Sequence, residues 1–375
     1  MTHRIIVLLA IFAFGFAACD TELGGEKSDP TVTWPQELSA RPGQTLADIS
    51  LAEFANSGTP GTFSWATPHH SVGDTLGVKH SHRMTFTPDD TAAYSAITKD
   101  IAVAVSLIEM VHIHGGTFKM GSPPDEPGRV VATETQFRVT VGDDFYLGKY
   151  EVTQKQWETV IGSLPDSVTR KGDNLPMYNV NYYDTLVFCN LLSVMEGLTP
   201  AYIIDDETDP EWWGDQDATW ETVAIVDGSN GYRLPNEVQW EYACRAGTET
   251  PWNSGAAAES DRANPLDDYA WYNAWWHKED GSAYVAQVQP VGGKKPNKWG
   301  LYDMHGNVAE FCWDRFGNYP SYSDPYGVWV TGTNRVIRGG NYSASSTANS
   351  LRSAARSGIS PATRSAIYGF RVARP

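Results

Sequence analysis

GYRLPNEVQWEYACRAG, residues 231–247, carries a helix with both of its ends written in the side chains. Asn236 stands as N-cap with Gln239 three residues on, the spacing at which each side chain reaches the other's backbone N–H. Trp240, Ala243 and Cys244 fall on one face, and Gly247 supplies the left-handed residue that ends a helix. Upstream, TQKQWETVIG (153–162) repeats the pattern with Thr153, Gln156 and Gly162. NYYDTLVFCNLLSVMEG (181–197) places apolar positions at Leu186, Cys189 and 191–194 before Gly197. These helices are short and separated by turn signals, and downstream the chain returns to short strands and turns. Residues 109–375 therefore read as an α+β domain with much irregular structure.

Residues 31–106 differ. TVTWP, GTFSWATP, HRMTFTP and ITKDIAVAV alternate apolar and polar positions between Gly, Pro, Asp and Ser turns. In the last of these, Ile97, Lys99, Ile101, Val103 and Val105 share a face. The spacing predicts a small all-β sandwich, so the chain is multidomain. The run GTFSWATP with MTFTPDDTAAYSAITKDIAVAV resembles bacterial Ig-like repeats, which implies a spacer held by core packing without a cysteine pair.

Ahead of both regions, residues 1–18 read as a secretory signal. His3 and Arg4 form the positive start, Ile5 to Phe16 the apolar core, and Ala17, Ala18 and Cys19 the small-residue cleavage site. The apolar run is too short to span a bilayer. A cysteine after two alanines resembles a bacterial lipobox, with Phe16 in place of the usual leucine. That resemblance implies a lipid on Cys19, residues 19–30 as a polar tether, and an address in the bacterial cell envelope, periplasmic or surface-exposed. Removing Cys19 leaves Cys189, Cys244 and Cys312, so at most one disulfide forms among them. Their apolar neighbours favour buried, inert thiols. The formal charge of −17 excludes nucleic acid as a partner, because phosphate binding needs a basic footprint.

Five stretches in order tie the second region to a known family: HGGTFKMGS, FYLGKYEVTQKQW, GYRLPNEVQWEYACRAG, PVGGKKPNKWGLYDMHGNVAEFCWD, and RVIRGGNYSASSTANSLRSAARS followed by YGFRVAR. They resemble the sulfatase-modifying-factor family of formylglycine-generating-enzyme-like domains, which implies a C-type-lectin-like fold for residues 109–375. The family's oxidases hold copper(I) with two cysteines placed just after a motif that here is Gly339, Gly340, Asn341 and Tyr342. Ala344 stands where the first cysteine would be, and Ala348 or Asn349 where the second would be. Hydroxyls and amides do not replace thiolates for this soft ion, so no copper site is expected. The family's GN-x-W-E has also become Gly306-Asn307-Val308-Ala309-Glu310, without the tryptophan of the oxygen site. Family members with disulfides tie cysteines like Cys189 and Cys244 to partners near the C-terminus, and the resemblance places Ser353 and Val372 at those two positions.

The resemblance also implies a structural calcium site. Asp303 and Glu310 would supply side-chain oxygens, and Gly306 and Val308 backbone carbonyls, a donor set suited to a hard cation. A second calcium site would map to Asn264 and Asp280. His112 and His114 lie two apart and lack metal-site spacing in sequence, so they read as structural or exposed. Trp212 and Trp213, and the stretch 271–276, read as core or as a stacking surface for sugars. Asn341, Tyr342, Ser343, Ser345 and Asn349 are the candidate binding residues, offering hydrogen-bond groups and one ring for a glycan or an envelope protein. The leading expectation is an envelope-anchored binding or scaffold module without oxidase activity. The alternatives are a metal-dependent oxidoreductase with an unrecognised site and a purely structural lipoprotein.

Overall fold

The computed structural model describes residues 27–36, 38–51, 54, 58–214, 216, 218–255, 265–272, 286–319, 332–343 and 345–375. The predicted signal, Cys19, most of the tether, Asn264, Asp280 and Ala344 lie outside the described residues.

The N-terminal unit contains β1 (Leu38–Ala40), β2 (Gly61–Trp65), β3 (Lys79–Pro88) and β4 (Ile97–Val105), in the spatial order β1-β4-β3-β2. Only β1 and β4 run parallel. On β4 the alternating face is buried at Ile101, Val103 and Val105, whereas Ile97 and Lys99 are not buried. TVTWP forms no strand: Pro35 has no N–H for a ladder and restricts Trp34, and the chain pairs three residues later at Leu38. Among the described residues this unit has one sheet, where a sandwich has two. Its apolar face is covered by Leu46 and Val72, with Ile49, Leu51 and Phe54 packed against them.

The second unit begins with β5 (Met110–Ile113), β6 (Gly116–Met120), β7 (Phe137–Val141) and β8 (Phe145–Gly148), followed by α1 (Gln154–Ile161) and α2 (Tyr182–Met195). Next come the short β9 (Tyr202–Ile203) and β10 (Ala224–Ile225), then α3 (Glu237–Arg245). The chain closes with β11 (Ala309–Arg315), β12 (Arg335–Arg338), β13 (Arg356–Ile359), β14 (Tyr368–Gly369) and β15 (Ala373–Arg374). The sheets are β13-β12-β11-β14, β15-β8-β5, the β6-β7 hairpin and the β9-β10 pair. In the three-stranded sheet, the last strand of the chain pairs with β8, which closes the unit on itself.

All three helices start as their sequences dictate. Thr153, Asn181 and Asn236 cap α1, α2 and α3, with reciprocal bonds from Gln156, Asp184 and Gln239. On α3, Trp240, Ala243 and Cys244 are all buried. On α2 the buried face is Tyr182, Tyr183, Leu186, Phe188, Cys189 and Leu192, while Val194 stays 58% exposed. Val194 was therefore misplaced in the predicted apolar set; the helix face turns out of the core before the helix ends. No helix among the described residues is long and apolar enough to cross a membrane.

The two units meet at a bonded joint. Glu196, just past α2, accepts from Leu107 N–H at 2.7 Å, from the Ser106 hydroxyl at 3.2 Å and from the Tyr232 hydroxyl at 2.8 Å.

Candidate functional site

Residues 338–357 form a loop held by buried arginines. The Arg338 guanidinium is fully buried and bonds the Glu241 carboxylate, the Ser353 carbonyl at 2.9 Å, and the Ala354 and Ala355 carbonyls at 2.9 and 2.7 Å. Arg352 bonds Glu126 at 2.6 Å, Glu134 at 2.9 Å and the Gly128 carbonyl at 2.7 Å. Arg356 makes a two-pronged contact with Glu237 at 2.6 and 2.5 Å. Burial opposes the charge on Arg338, and Glu241 and Glu237 more than offset it, holding the group above its ordinary value. Glu237 and Glu241 lie one helical turn apart on α3, so one helix face anchors both ends of the loop.

Between these anchors the side chains are small. Asn341 Oδ1 accepts from Ser343 N–H at 3.0 Å and the Ser346 hydroxyl at 2.9 Å, an Asx-type turn. The Ser343 and Ser345 hydroxyls lie 2.9 Å apart. Ser345 and Asn349 are exposed, Asn341 and Ser343 are half-buried, and Ser346 and Ala348 are buried. Tyr342 is half-buried against the main core, and its N–H donates to the Asn307 carbonyl at 2.9 Å. The candidate binding residues thus share one loop, with the Tyr342 ring partly committed to packing.

Among the described residues Cys189, Cys244 and Cys312 are free and buried. Burial pushes the Cys244 thiol up to about 12 and raises those of Cys189 and Cys312 as well, so none is a ready thiolate. Cys244 Sγ lies 3.6 Å from the Ser353 hydroxyl, the position corresponding to the family's disulfide partner.

Beside the loop sits an acidic turn. Asp303, Gly306 and Asn307 all have left-handed backbone, with φ of 55°, 82° and 52°. A Cβ on Gly306 would meet the Trp271 carbonyl oxygen at 2.2 Å, so only glycine fits. Glu310 accepts two bonds from Arg371 at 2.7 Å and one from the Trp240 indole at 2.7 Å. Asp303 Oδ2 accepts from Gly292 N–H at 2.7 Å, while its buried Oδ1 has no hydrogen-bond partner among the described residues. Glu151, which the sequence reading missed, accepts from Val308 N–H at 2.9 Å and the Asn307 amide at 2.6 Å. Three buried carboxylates, Glu151, Asp303 and Glu310, thus stand against the buried guanidinium of Arg371 and the half-buried Lys294 ammonium, which acts on Asp303. Burial, and then repulsion from Asp303 and Glu310, raises Glu151 well above its ordinary value. Burial likewise lifts Asp303 to about 6. The surplus negative charge and the unpartnered oxygen fit a hard cation; Glu310, engaged by Arg371, serves chiefly as an anchor. Glu151 lies three residues past the end of strand β8, in Glu-Val-Thr, where nothing but tertiary folding marks it.

Of the two tryptophans at 212 and 213, Trp213 is buried in the main core and Trp212 is 75% exposed. They do not form a shared flat surface.

The chaperone protein LppX of Paenibacillus barcinonensis is 37% identical over 247 residues, covering 63% of this chain and 79% of that protein. The formylglycine-generating enzyme of Mus musculus is 28% identical over 306 residues, covering 72% and 76%. Among solved structures, Treponema denticola variable protein 1 superposes with a TM-score of 0.59 at 29% identity, covering 80% of this chain and 99% of that one. PvdO from Pseudomonas aeruginosa gives 0.55 at 26% identity, covering 71% and 94%. The model of the sulfatase-modifying factor enzyme 1-like domain matches residues 98–375. The chain belongs to the sulfatase-modifying-factor family and carries its C-type-lectin-like, sheet-rich domain.

Proposed function

We propose that this chain is a binding or scaffold module of its family, without thiol-oxidase activity. The observation that carries the reading is the division of labour in residues 338–357. The arginines are buried and locked to α3 and to Glu126 and Glu134, while Ser345, Thr347, Asn349 and Ser350 between them are polar and exposed. A rigid frame that presents hydrogen-bonding groups recognises a partner at low entropic cost. A relative named as a chaperone supports a protein partner over a glycan. In this reading the N-terminal unit is a single-sheet spacer, and a lipid on Cys19 holds the chain at the cell envelope. Calcium at Asp303, Gly306 and Val308, with Glu151 and Glu310 around it, neutralises the acidic turn under the loop. Copper has no part, and the second calcium position at Asn264 and Asp280 rests on sequence resemblance only.

The test is in two stages. The purified chain is incubated with copper, oxygen, reductant and a peptide bearing the family's C-x-P-x-R motif, and mass spectrometry is used to look for the aldehyde. No aldehyde is expected; its formation overturns the non-oxidase reading. Envelope proteins and glycans are then screened against wild type, Asn341→Ala and Ser345→Ala. A ligand held equally by all three removes this loop from the binding surface.

A further inference from the structure

Away from the loop, the register of β5 against β8 assembles a cluster that sequence spacing does not announce. Ile113 pairs with Phe145, and His112 with Tyr146. One step beyond the ladder, His114 therefore comes opposite Asp144, and the alternation of β5 puts His112 on the same side. Asp144 Oδ2 lies 3.3 Å from His112 Nε2 and 2.9 Å from His114 Nδ1. One ligand atom from each of the three residues falls within 4.8 Å of the others. The other carboxylate oxygen, Asp144 Oδ1, accepts from Gly115 N–H at 2.8 Å, which fixes the carboxylate plane and leaves Oδ2 facing the imidazoles.

We propose that His112, His114 and Asp144 form a binding site for a divalent transition ion that prefers imidazole, with zinc the leading occupant. Bonds of about 2.0–2.2 Å set adjacent ligands about 2.9 Å apart at a right angle and about 3.4 Å apart at a tetrahedral one. The two measured separations to Asp144 Oδ2 match these edges. The remaining edge, between the two imidazoles, closes by rotation of His114, whose side chain is 79% exposed. His112 is less free, because its ring lies 4.8 Å from that of Tyr146. Both histidines also line a cleft of about 1020 Å³ between the N-terminal sheet and the second unit, with Tyr242 and Trp299 on the same wall. The cleft leaves further coordination positions open to a ligand atom or water. Two neutral imidazoles and one carboxylate suit zinc, nickel or copper(II) over calcium or magnesium, which take oxygen sets.

The experiment is calorimetric titration of the full chain with zinc alone, then with nickel, in excess calcium so that the acidic turn does not compete. Wild type is expected to bind one equivalent whose affinity falls at least about tenfold in each of His112→Ala, His114→Ala and Asp144→Asn. His69→Ala with His80→Ala, exposed histidines on the other unit, keeps that equivalent. Thermal midpoints without metal check that the variants fold, and the cobalt-loaded absorption spectrum reports the coordination number and geometry of the bound ion. Zinc binding that is absent, or that is unchanged in the three variants, overturns the site.

Discussion

At the scale of single residues, the loop and its anchors respond differently to substitution. Arg338 is fully buried between Glu241, Glu237 and three carbonyls. Arg338→Met leaves Glu241 with Arg245 as its guanidinium partner and strips three loop carbonyls of their donor, and is expected to cost about 3–5 kcal/mol in urea unfolding. Ser345→Ala, on the exposed loop, should stay within about 0.5 kcal/mol. Equal costs for the two would refute the frame-and-loop division. Asp303 carries the calcium prediction. Calcium at about one hundred times its dissociation constant adds about 2.7 kcal/mol to the wild type by binding only the folded state. Thermal unfolding with calcium and then with chelator measures the gain, and Asp303→Ala should erase it. An identical midpoint in all four conditions dismisses the site.

At the scale of elements, β3 carries a pH response. His82 is buried on that strand, with the rings of His70 and His80 at 5.3 and 6.3 Å. Burial, followed by repulsion from His70 and His80, holds His82 below the ordinary value of 6.5. The folded unit therefore binds fewer protons than the unfolded chain does. The stability that this group confers is complete above pH 6.5 and is lost as pH falls through 6.5 toward the depressed folded value. Protection factors of β3 and β4, taken relative to the intrinsic exchange rate at each pH, should fall between pH 7.5 and 5.5, and His82→Leu should flatten that dependence. The same fall in the variant would place the response elsewhere. The helices show the opposite case, in which local sequence is enough: each capping pair closes within four residues and needs nothing from the rest of the fold.

For the whole molecule, the joint at Glu196 decides how the two units move. The Leu107 N–H and the Ser106 and Tyr232 hydroxyls converge on one carboxylate, so 106–108 is a fastened connection and not a loose linker. Glu196→Ala should leave each unit folded but expose 105–109 to protease, with the fragments separating by size; unchanged resistance would show that other contacts hold the joint. The envelope reading is tested at the same scale. Cys19→Ser should abolish lipid labelling and release the chain from the membrane fraction, and undiminished labelling would sink the anchor.

What the sequence determined by itself was whatever depends on near neighbours. The caps Thr153 and Asn236, the left-handed closure at Gly162, and the buried pair Trp240 and Cys244 were each read within a few residues, because 3.6-residue periodicity and capping are short-range. The missing thiolates were equally legible, since an absent side chain needs no fold to be absent. The tertiary structure alone decided the rest. Glu151 reaches the acidic turn from 152 residues before Asp303, Glu126 and Glu134 reach Arg352 across more than 200 residues, and Asp144 meets His112 and His114 only through strand register. The N-terminal unit showed the same limit: alternation foretold three of its four strands, but whether a second sheet or a loop covers them depends on which distant apolar groups arrive, and Leu46 and Val72 did. Charge pairing and cross-strand contact depend on distance in space, and separation along the chain carries no measure of it.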